Sequence, residues 1–477
     1  MQTPMPQRRT AVLWPIFAAI NGILIALVTY AIGTNNLASL GSAAYVITLS
    51  VLCFLPLCLT PSLRGRHALS LTFLALFFLS FASNDLVVLL SGLPPKSARS
   101  PAFFSDAEIV ILLSAACFLL GYGLALSRAL PLGAGICRRE WATWAIWWVG
   151  GAFWAIGFVA VFFIQTKFQS ILDSPYWGPL GGVISLARLL NPIGALMLAY
   201  LALKNGSRSA LAVFCFFCVM DFCLGFYGDT KEQSFRDPIL FLIARLLLTG
   251  RVSVILAVSV LAVAGASFSY FAEFRDEFKG QNLSRTAALE KVLGSIRSSM
   301  GGTESSGERF SSGIEYVTAR TSLKPSVELI VTKVGIAVPF QEGRTISPLQ
   351  YAFVPRNFLP NKPDTTVGRK FNRAFHISAD PDTYISPSQN GELYWNFGWW
   401  GVVWGMVAIG MVIGLVNRLA NLEHRITLPR LLILLMTIYL VCLRFEDGIA
   451  IQYTYWLRAV VMLLLVHLVM PKAARQP

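Results

Sequence analysis

The feature that most constrains this chain is a series of apolar runs, each about twenty residues long, which is the length an α-helix needs to cross the hydrocarbon core of a bilayer. No water is present there to satisfy backbone N–H and C=O groups, so such runs fold as helices. Composition agrees with this. Of 477 residues, 55% are hydrophobic and only 13% are charged, where soluble domains carry about 25% charged residues. A chain like this lacks the polar side chains to cover a water-facing surface. The expected fold class is an all-α polytopic membrane protein.

Twelve spans are expected, over 11–33, 40–60, 68–92, 106–127, 141–164, 181–203, 209–227, 237–250, 252–269, 395–416, 429–443 and 449–470, the eighth and eleventh being short. The first run is too long for a signal-peptide core and lacks a small-residue cleavage site, so it reads as a retained helix. Lys and Arg set the orientation, because they accumulate on the cytoplasmic side. With the N-terminus inside, the cytoplasmic ends and loops hold fifteen of them. The short external loops hold six, namely Lys96, Arg99, Lys167, Lys231, Arg236 and Arg444. Both termini are then cytoplasmic, and one large periplasmic loop lies between the ninth and tenth helices. The expected organisation is membrane helices over 1–269, a mostly helical loop or lid over 270–394, and membrane helices over 395–477. The formal charge of +14 is a topology signal and does not imply nucleic acid as a partner; membrane lipids are the surroundings instead.

The eight Cys residues lie in spans or on the cytoplasmic side, so no disulfide is expected; Cys215-x-x-Cys218 reads as small buried apolar side chains inside a helix. Within the loop, Leu289, Val292, Leu293, Ile296 and Met300 recur at helical spacing, predicting an amphipathic helix over 285–300. A Gly/Ser-rich link follows over Gly301–Gly313, and Pro325 opens a second short helix. Two similar starts come next, Ile346-Ser347-Pro348-Leu349-Gln350 and Ile385-Ser386-Pro387-Ser388-Gln389. In each, Ser can cap, Pro takes the first helical position, and Gln can close a capping box. The first is expected to stop near Val354 because of Pro355, and the second to run straight into the tenth span. That span carries Gly401-xxx-Gly405 and Gly410-xxx-Gly414, which suit close helix packing. Trp395, Trp399 and Trp400 mark its water interface.

Several chemical signatures are missing. There is no GxxxxGK[ST] phosphate loop and no HExxH, and of His67, His376, His424 and His467 only His376 is external. No cofactor and no metal are therefore expected. The first external loop, Thr34 to Ser39, has no carboxylate, which counts against metal-dependent lipid-linked glycosyltransferases. What stands out is external cationic charge. Residues 355–376 hold Arg356, Lys362, Arg369, Lys370 and Arg373 against one acid, Asp364, with Pro355, Pro360 and Pro363 stiffening the backbone. Fixed guanidinium and ammonium groups at a membrane surface suit a phosphate or diphosphate; a solvated charge run touching lipid headgroups is the plainer reading. Inside the spans, Arg188 and Arg458 lie below the external ends of the sixth and twelfth helices, and Asp85 and Asp221 near those of the third and seventh. An Arg at mid-membrane costs about 2.5–3.5 kcal/mol, so such residues face a cavity or a partner. Structural pairing, for example Asp221 with Arg188, and substrate contact both remain open. Arg444, with Glu446 and Asp447, adds charge at the same depth. Glu392 sits in the first turns of the tenth-span helix. The helix dipole alone favours a carboxylate there, and a general base at the membrane surface is the functional reading.

The order of these residues resembles that of the Wzy-type polymerases, which join oligosaccharide repeat units of O-antigen or exopolysaccharide. The resemblance rests on Arg320, Gly343-Arg344-Thr345, Pro355-Arg356 with Pro360-Asn361-Lys362-Pro363, and Glu392-Leu393-Tyr394-Trp395-Asn396-Phe397-Gly398-Trp399-Trp400-Gly401. It implies a bacterial inner-membrane enzyme that transfers a growing glycan from polyprenyl diphosphate to a second lipid-linked unit. Donor and acceptor are both polyprenyl-diphosphate-linked oligosaccharides, and a polysaccharide chain-length regulator is a further implied partner. On this reading Arg356 and Lys362 stabilise the leaving diphosphate, helped by Arg188, Arg320, Arg369 and Arg458. Glu392 is the candidate base and His376 the second. Arg444, Asp221 and Tyr394 complete the candidate substrate-binding set. The related O-antigen ligases resemble one another in a His just before the Gly-rich helix start; here 385–391 is Ile-Ser-Pro-Ser-Gln-Asn-Gly, which favours a polymerase. The connection 228–237 differs from the Ser-Arg-Gly type of the superfamily, so no role is carried onto Lys231 or Arg236. A lipid-linked glycan flippase or secondary transporter is the alternative of a different class, although no internal repeat supports two matching halves.

Overall fold

The computed structural model describes residues 14–34, 39–59, 68–91, 104–127, 137, 139–167, 178–228, 230–250, 253–275, 287, 290–292, 294, 322–354, 358–359, 361–363, 365–381, 383–420 and 426–473. The described chain is helical, with two isolated β-bridges, Trp141–Lys472 and Val334–Val338. Most of the expected amphipathic helix over 285–300 and the Gly301–Gly313 link lie outside the described residues.

Eight described helices are long and apolar enough to cross a membrane, and shorter apolar helices occur at Phe17–Ala26, Val254–Ala264 and Leu428–Leu443. The chain is a polytopic, all-α membrane protein. In chain order the helices are α1 (Trp14–Thr34), α2 (Ser39–Phe54), α3 (Pro56–Leu59), α4 (Ala68–Ser91), α5 (Asp106–Leu126), α6 (Thr143–Lys167), α7 (Gly178–Ala187), α8 (Leu190–Asn205), α9 (Arg208–Tyr227), α10 (Lys231–Thr249) and α11 (Val254–Arg275). After the loop's first part come α12 (Lys324–Lys333), α13 (Val367–Phe375), α14 (Gln389–Ala420), α15 (Leu428–Thr437) and α16 (Ile449–Val469).

Glycines set the closest approaches. A Cβ at Gly410 would lie 2.1 Å from the Phe118 carbonyl oxygen, and one at Gly121 2.0 Å from that of Val407, so α14 and α5 meet backbone to backbone. Gly157 and Gly194 do the same for α6 against α8. Gly401 and Gly405 have a different neighbour. A Cβ at Gly401 would stand 2.3 Å from the Leu393 oxygen, and one at Gly405 2.3 Å from a Leu393 methyl. In an unbroken helix, residues eight apart are separated by about 12 Å. The helix is therefore not continuous into the span as expected. It folds back at Gly398, where φ 61° and ψ −146° suit glycine almost alone. Residues 389–397 form a short arm lying against 401–405, and 399–420 is the membrane-crossing part.

The loop sinks into the bundle. Leu323 N–H donates to the Ser80 carbonyl on α4 at 2.9 Å. Phe445, in the connection before α16, sits edge-on to Phe73, Phe77 and Phe81 at 5.3–5.7 Å. The expected helix at Ser347 is a short 3-10 turn, Ser347–Tyr351, with no side-chain cap. At the second start the capping hydroxyl is that of Ser388, which accepts from Gly391 N–H at 3.2 Å; Ser386 instead accepts from Ser388 N–H. Pro387 thus lies before the helix and not at its first turn.

Candidate functional site

Helix α16 presents Tyr455 and Arg458 three residues apart, on one face. The guanidinium of Arg188 lies 5.2 Å from the Tyr455 ring centre and that of Arg444 5.9 Å from it. Two cations from distant parts of the chain thus share one aromatic ring. Arg188 reaches it from the turn between α7 and α8. Pro192 has no N–H to give the Arg188 carbonyl, which accepts from Asn191 N–H at 3.4 Å instead. Arg444 follows a π-helical stretch, Ile438–Leu443. Gln452 Nε2 secures that stretch by donating to the Val441 and Arg444 carbonyls at 2.9 and 2.8 Å. Arg444 pairs with Asp447 at 2.6 Å and Glu232 at 3.6 Å. Among the described residues Arg188, which is half-buried, has no carboxylate within ion-pair distance.

Arg458 and Lys362 both grip the loop. Arg458 Nε and Nη2 donate to the Ala352 carbonyl at 2.8 and 2.6 Å. Lys362 Nζ donates to the Tyr351 and Val354 carbonyls at 2.7 and 2.9 Å. Cations at the carbonyl end of the 3-10 turn complement its exposed acceptors. The structure therefore brings Arg188, Arg444, Arg458 and Lys362 to one side of α16.

Asp221 belongs elsewhere. It accepts from Trp154 Nε1 at 2.9 Å and Asn191 Nδ2 at 3.1 Å, and its ion-pair partner is Arg236 at 3.7 Å, not Arg188. Arg236 also makes a fork to Asp237 at 2.7 and 3.0 Å. This network is buried among α6, α8, α9 and α10.

Glu392 is enclosed, with 0% exposure. Its Oε2 accepts from Ile449 N–H at 2.7 Å, and Oε1 has no hydrogen-bond partner. Ile449 opens α16, so one carboxylate serves the positive ends of two helices. Asn396, one turn on, donates to Thr345 Oγ1 and to the Glu392 carbonyl, each at 2.7 Å, and accepts from Gly343 N–H at 2.9 Å. Two segments distant in sequence, Gly343–Thr345 and Glu392–Gly398, are thus one structural unit. Tyr394 is buried with its ring edge-on to Trp399 at 5.6 Å.

In α13, Val367, Phe371 and Phe375 are buried, the two Phe rings against Trp395, while Arg369 and Lys370 are exposed on the other face. His376 ends that helix in the left-handed conformation, φ 53°, exposed to solvent. Arg356 and Arg320 lie outside the described residues.

No family model matches the chain, and no curated protein and no solved structure is significantly similar to it.

Three contributors to the site carried no distinct sequence signal. Tyr455 is the ring on which Arg188 and Arg444 meet, and only its spacing from Arg458 hints at that. Gln452 acts on backbone carbonyls. Lys324, at the start of α12, donates to Asp85 and Glu108 at 2.8 Å each and lies 4.6 Å from the Tyr45 ring centre. Burial disfavours its charge, but the two carboxylates prevail and raise the Lys324 pKa above its ordinary value. Chemically, the cationic side of α16 can hold an anion in a setting of reduced dielectric, where each guanidinium acts more strongly than in water.

Proposed function

We propose that this protein is a membrane glycosyltransferase. It polymerises oligosaccharide repeat units carried on polyprenyl diphosphate at the external face of the inner membrane and releases polyprenyl diphosphate. The observation that carries this reading is the meeting of Arg188 and Arg444 on Tyr455, with Arg458 and Lys362 alongside. A transferring glycan breaks its anomeric C–O bond to diphosphate as the acceptor hydroxyl forms a new one. Negative charge grows on the leaving phosphate oxygen, and fixed cations stabilise that charge. Arg188, without an acidic partner among the described residues, is the group most open to such an anion, and Arg356 is a further cation on the same loop. The acceptor proton passes to a base. Of the two candidates His376 is the exposed one, while Glu392 is assigned to positioning, since it joins the starts of α14 and α16. The resemblance to the Wzy-type polymerases supports the reading, because Glu392, Asn396 and Gly343, all part of it, form one bonded unit. In this reading the protein has twelve spans, cytoplasmic termini and a periplasmic loop, and works with a chain-length regulator.

A flippase is the second reading, favoured by the buried Arg236–Asp237–Asp221 network, since intramembrane charges of this kind line transport paths. Deleting the gene separates the two. A polymerase deletion removes the ladder of long glycans and leaves single repeat units displayed, whereas a flippase deletion removes all surface glycan. The latter result overturns the proposal.

A further inference from the structure

A strip of apolar surface runs up the outer end of α14 and onto the loop. Trp400 and Trp404, four residues apart on the part of α14 that crosses the membrane, are exposed by 73 and 66%. Phe397, which ends the short arm on the other side of the Gly398 fold-back, is exposed by 50%. The two tryptophans belong to the crossing part of the helix, so the lower part of the strip faces lipid. The strip continues above it without a break. The Phe397 ring would lie 3.1 Å from a Cβ at Gly343, and the Phe340 ring 3.4 Å from one at Gly398 and 3.3 Å from one at Gly335. Next to Gly335 is Ile336, exposed by 87%, the largest such value for any described large hydrophobic residue.

The turn that carries Ile336 is held firmly. Val338 and Ala337 N–H groups donate to the Lys333 carbonyl, and Gly335 N–H to the Val338 carbonyl, at 2.8–3.0 Å. At its far end Gln341 and Glu342 N–H groups donate to the Trp395 and Asn396 carbonyls at 2.9 and 3.1 Å. Gly335 and Gly343 take φ of 83° and 85°, values glycine accepts without strain. A rigid turn that holds an isoleucine and a phenylalanine outward, edge to edge with a lipid-facing tryptophan stripe, has the chemistry of a bilayer interface anchor. Arg344 is exposed on the same turn and Lys333 lies at its start, where long cationic side chains reach lipid phosphates.

We infer that the 335–344 turn inserts Ile336 and Phe340 into the external leaflet at the level of the lipid glycerol region, with Arg344 at the phosphates. The partner is the bilayer itself. The surface thereby fixes the height of the Gly343–Thr345 segment, and through Asn396 that of the short arm 389–397, relative to the headgroups. This role is separate from the activity proposed above and holds for a flippase equally.

The test uses the full-length protein in phosphatidylethanolamine–phosphatidylglycerol vesicles, with native cysteines replaced by alanine and an environment-sensitive fluorophore on Ile336→Cys. Ala379→Cys, exposed beyond α13, is the comparison site. Expected is emission at 336 quenched by lipids bearing a nitroxide near the headgroup, with iodide quenching several-fold weaker than at 379. Iodide quenching at 336 equal to that at 379 overturns the inference. So does shielding from iodide without nitroxide quenching, since a protein partner would then cover the turn.

Discussion

At the scale of single residues, the intramembrane charges are what the sequence marks best, and their partners are what it marks least. Arg188, Arg458 and Asp221 stand out because a charge inside a span is costly without a counterpart. Which counterpart each finds depends on helix rotation and depth. Asp221 meets Arg236 from α10, and Arg458 meets a backbone carbonyl, which no residue pattern advertises. Glu392 was legible as a carboxylate at a helix start, and its enclosure by Ile449 and the loop was not. A sharp expectation follows for Arg188. Replacing it with alanine lowers the polymerisation rate on a purified lipid-linked substrate by about 10²–10³-fold, the usual cost of removing one transition-state donor. Its thermal unfolding midpoint stays near that of the native protein, because among the described residues no carboxylate is left uncompensated. Arg188→Lys recovers only part of the rate, since an ammonium lacks the guanidinium fork. Tyr455→Phe keeps the ring and the activity, and Tyr455→Leu loses both. Full activity in Arg188→Ala removes this residue from the site.

At the scale of elements, the apolar runs and the proline positions were legible, because helix periodicity and the missing proline N–H act locally. The fold-back at Gly398 was not, since it is a dihedral choice supported by contacts with Phe340 and Leu393 and leaves the hydrophobic run unbroken. Gly398→Ala is expected to destabilise the protein by about 1–3 kcal/mol, the cost of a side chain in that conformation. The check is a lowered unfolding temperature in detergent, with loss of activity as the short arm shifts. A second expectation concerns the fastening of the loop by Lys324. Lys324→Met leaves Asp85 and Glu108 facing each other without their cation, a loss of about 3–5 kcal/mol for breaking a buried pair. Limited proteolysis then cuts the 270–394 segment faster. The sign of the pH effect follows from the raised pKa. The stabilisation is complete below the ordinary lysine value of about 10.4 and is lost as pH climbs through the higher folded value. Native loop protection therefore persists at mildly alkaline pH and fails only beyond it, a difference that Lys324→Met abolishes.

At the scale of the whole molecule, the membrane class follows from composition alone, whereas the number of crossings depends on helices that are individually ambiguous. Eight helices meet the length and hydropathy of a span without reference to their neighbours. The remaining four expected spans correspond to α1, α10, α11 and the α15–π stretch. Two of them have a physical reason for a weaker signal. α10 carries Lys231, Glu232, Arg236, Asp237 and Arg245, and most of its central charge is cancelled inside the bundle by Asp221, Asp237 and Arg444 pairing. The α15–π stretch covers only Leu428–Leu443 because the next connection, with Phe445, plunges into the aromatic cage of α4. A short helix and a sunken connection together cross the same thickness as a longer helix. If all four cross, the count is even and the segment 270–394 is external together with the 444–448 connection. Alkaline phosphatase fused after Gly343 is then active, fused after Asn205 or after Ala420 it is inactive, and an impermeant thiol reagent added outside labels Ala379→Cys in intact spheroplasts. Activity of the fusion after Ala420 removes one crossing and places the α16 cations on the cytoplasmic face, where no periplasmic substrate meets them. Labelling at Ala379 with silent fusions at Asn205 and Ala420 puts Arg188, Arg444, Arg458 and the loop on one side of the membrane, as a shared anion site demands.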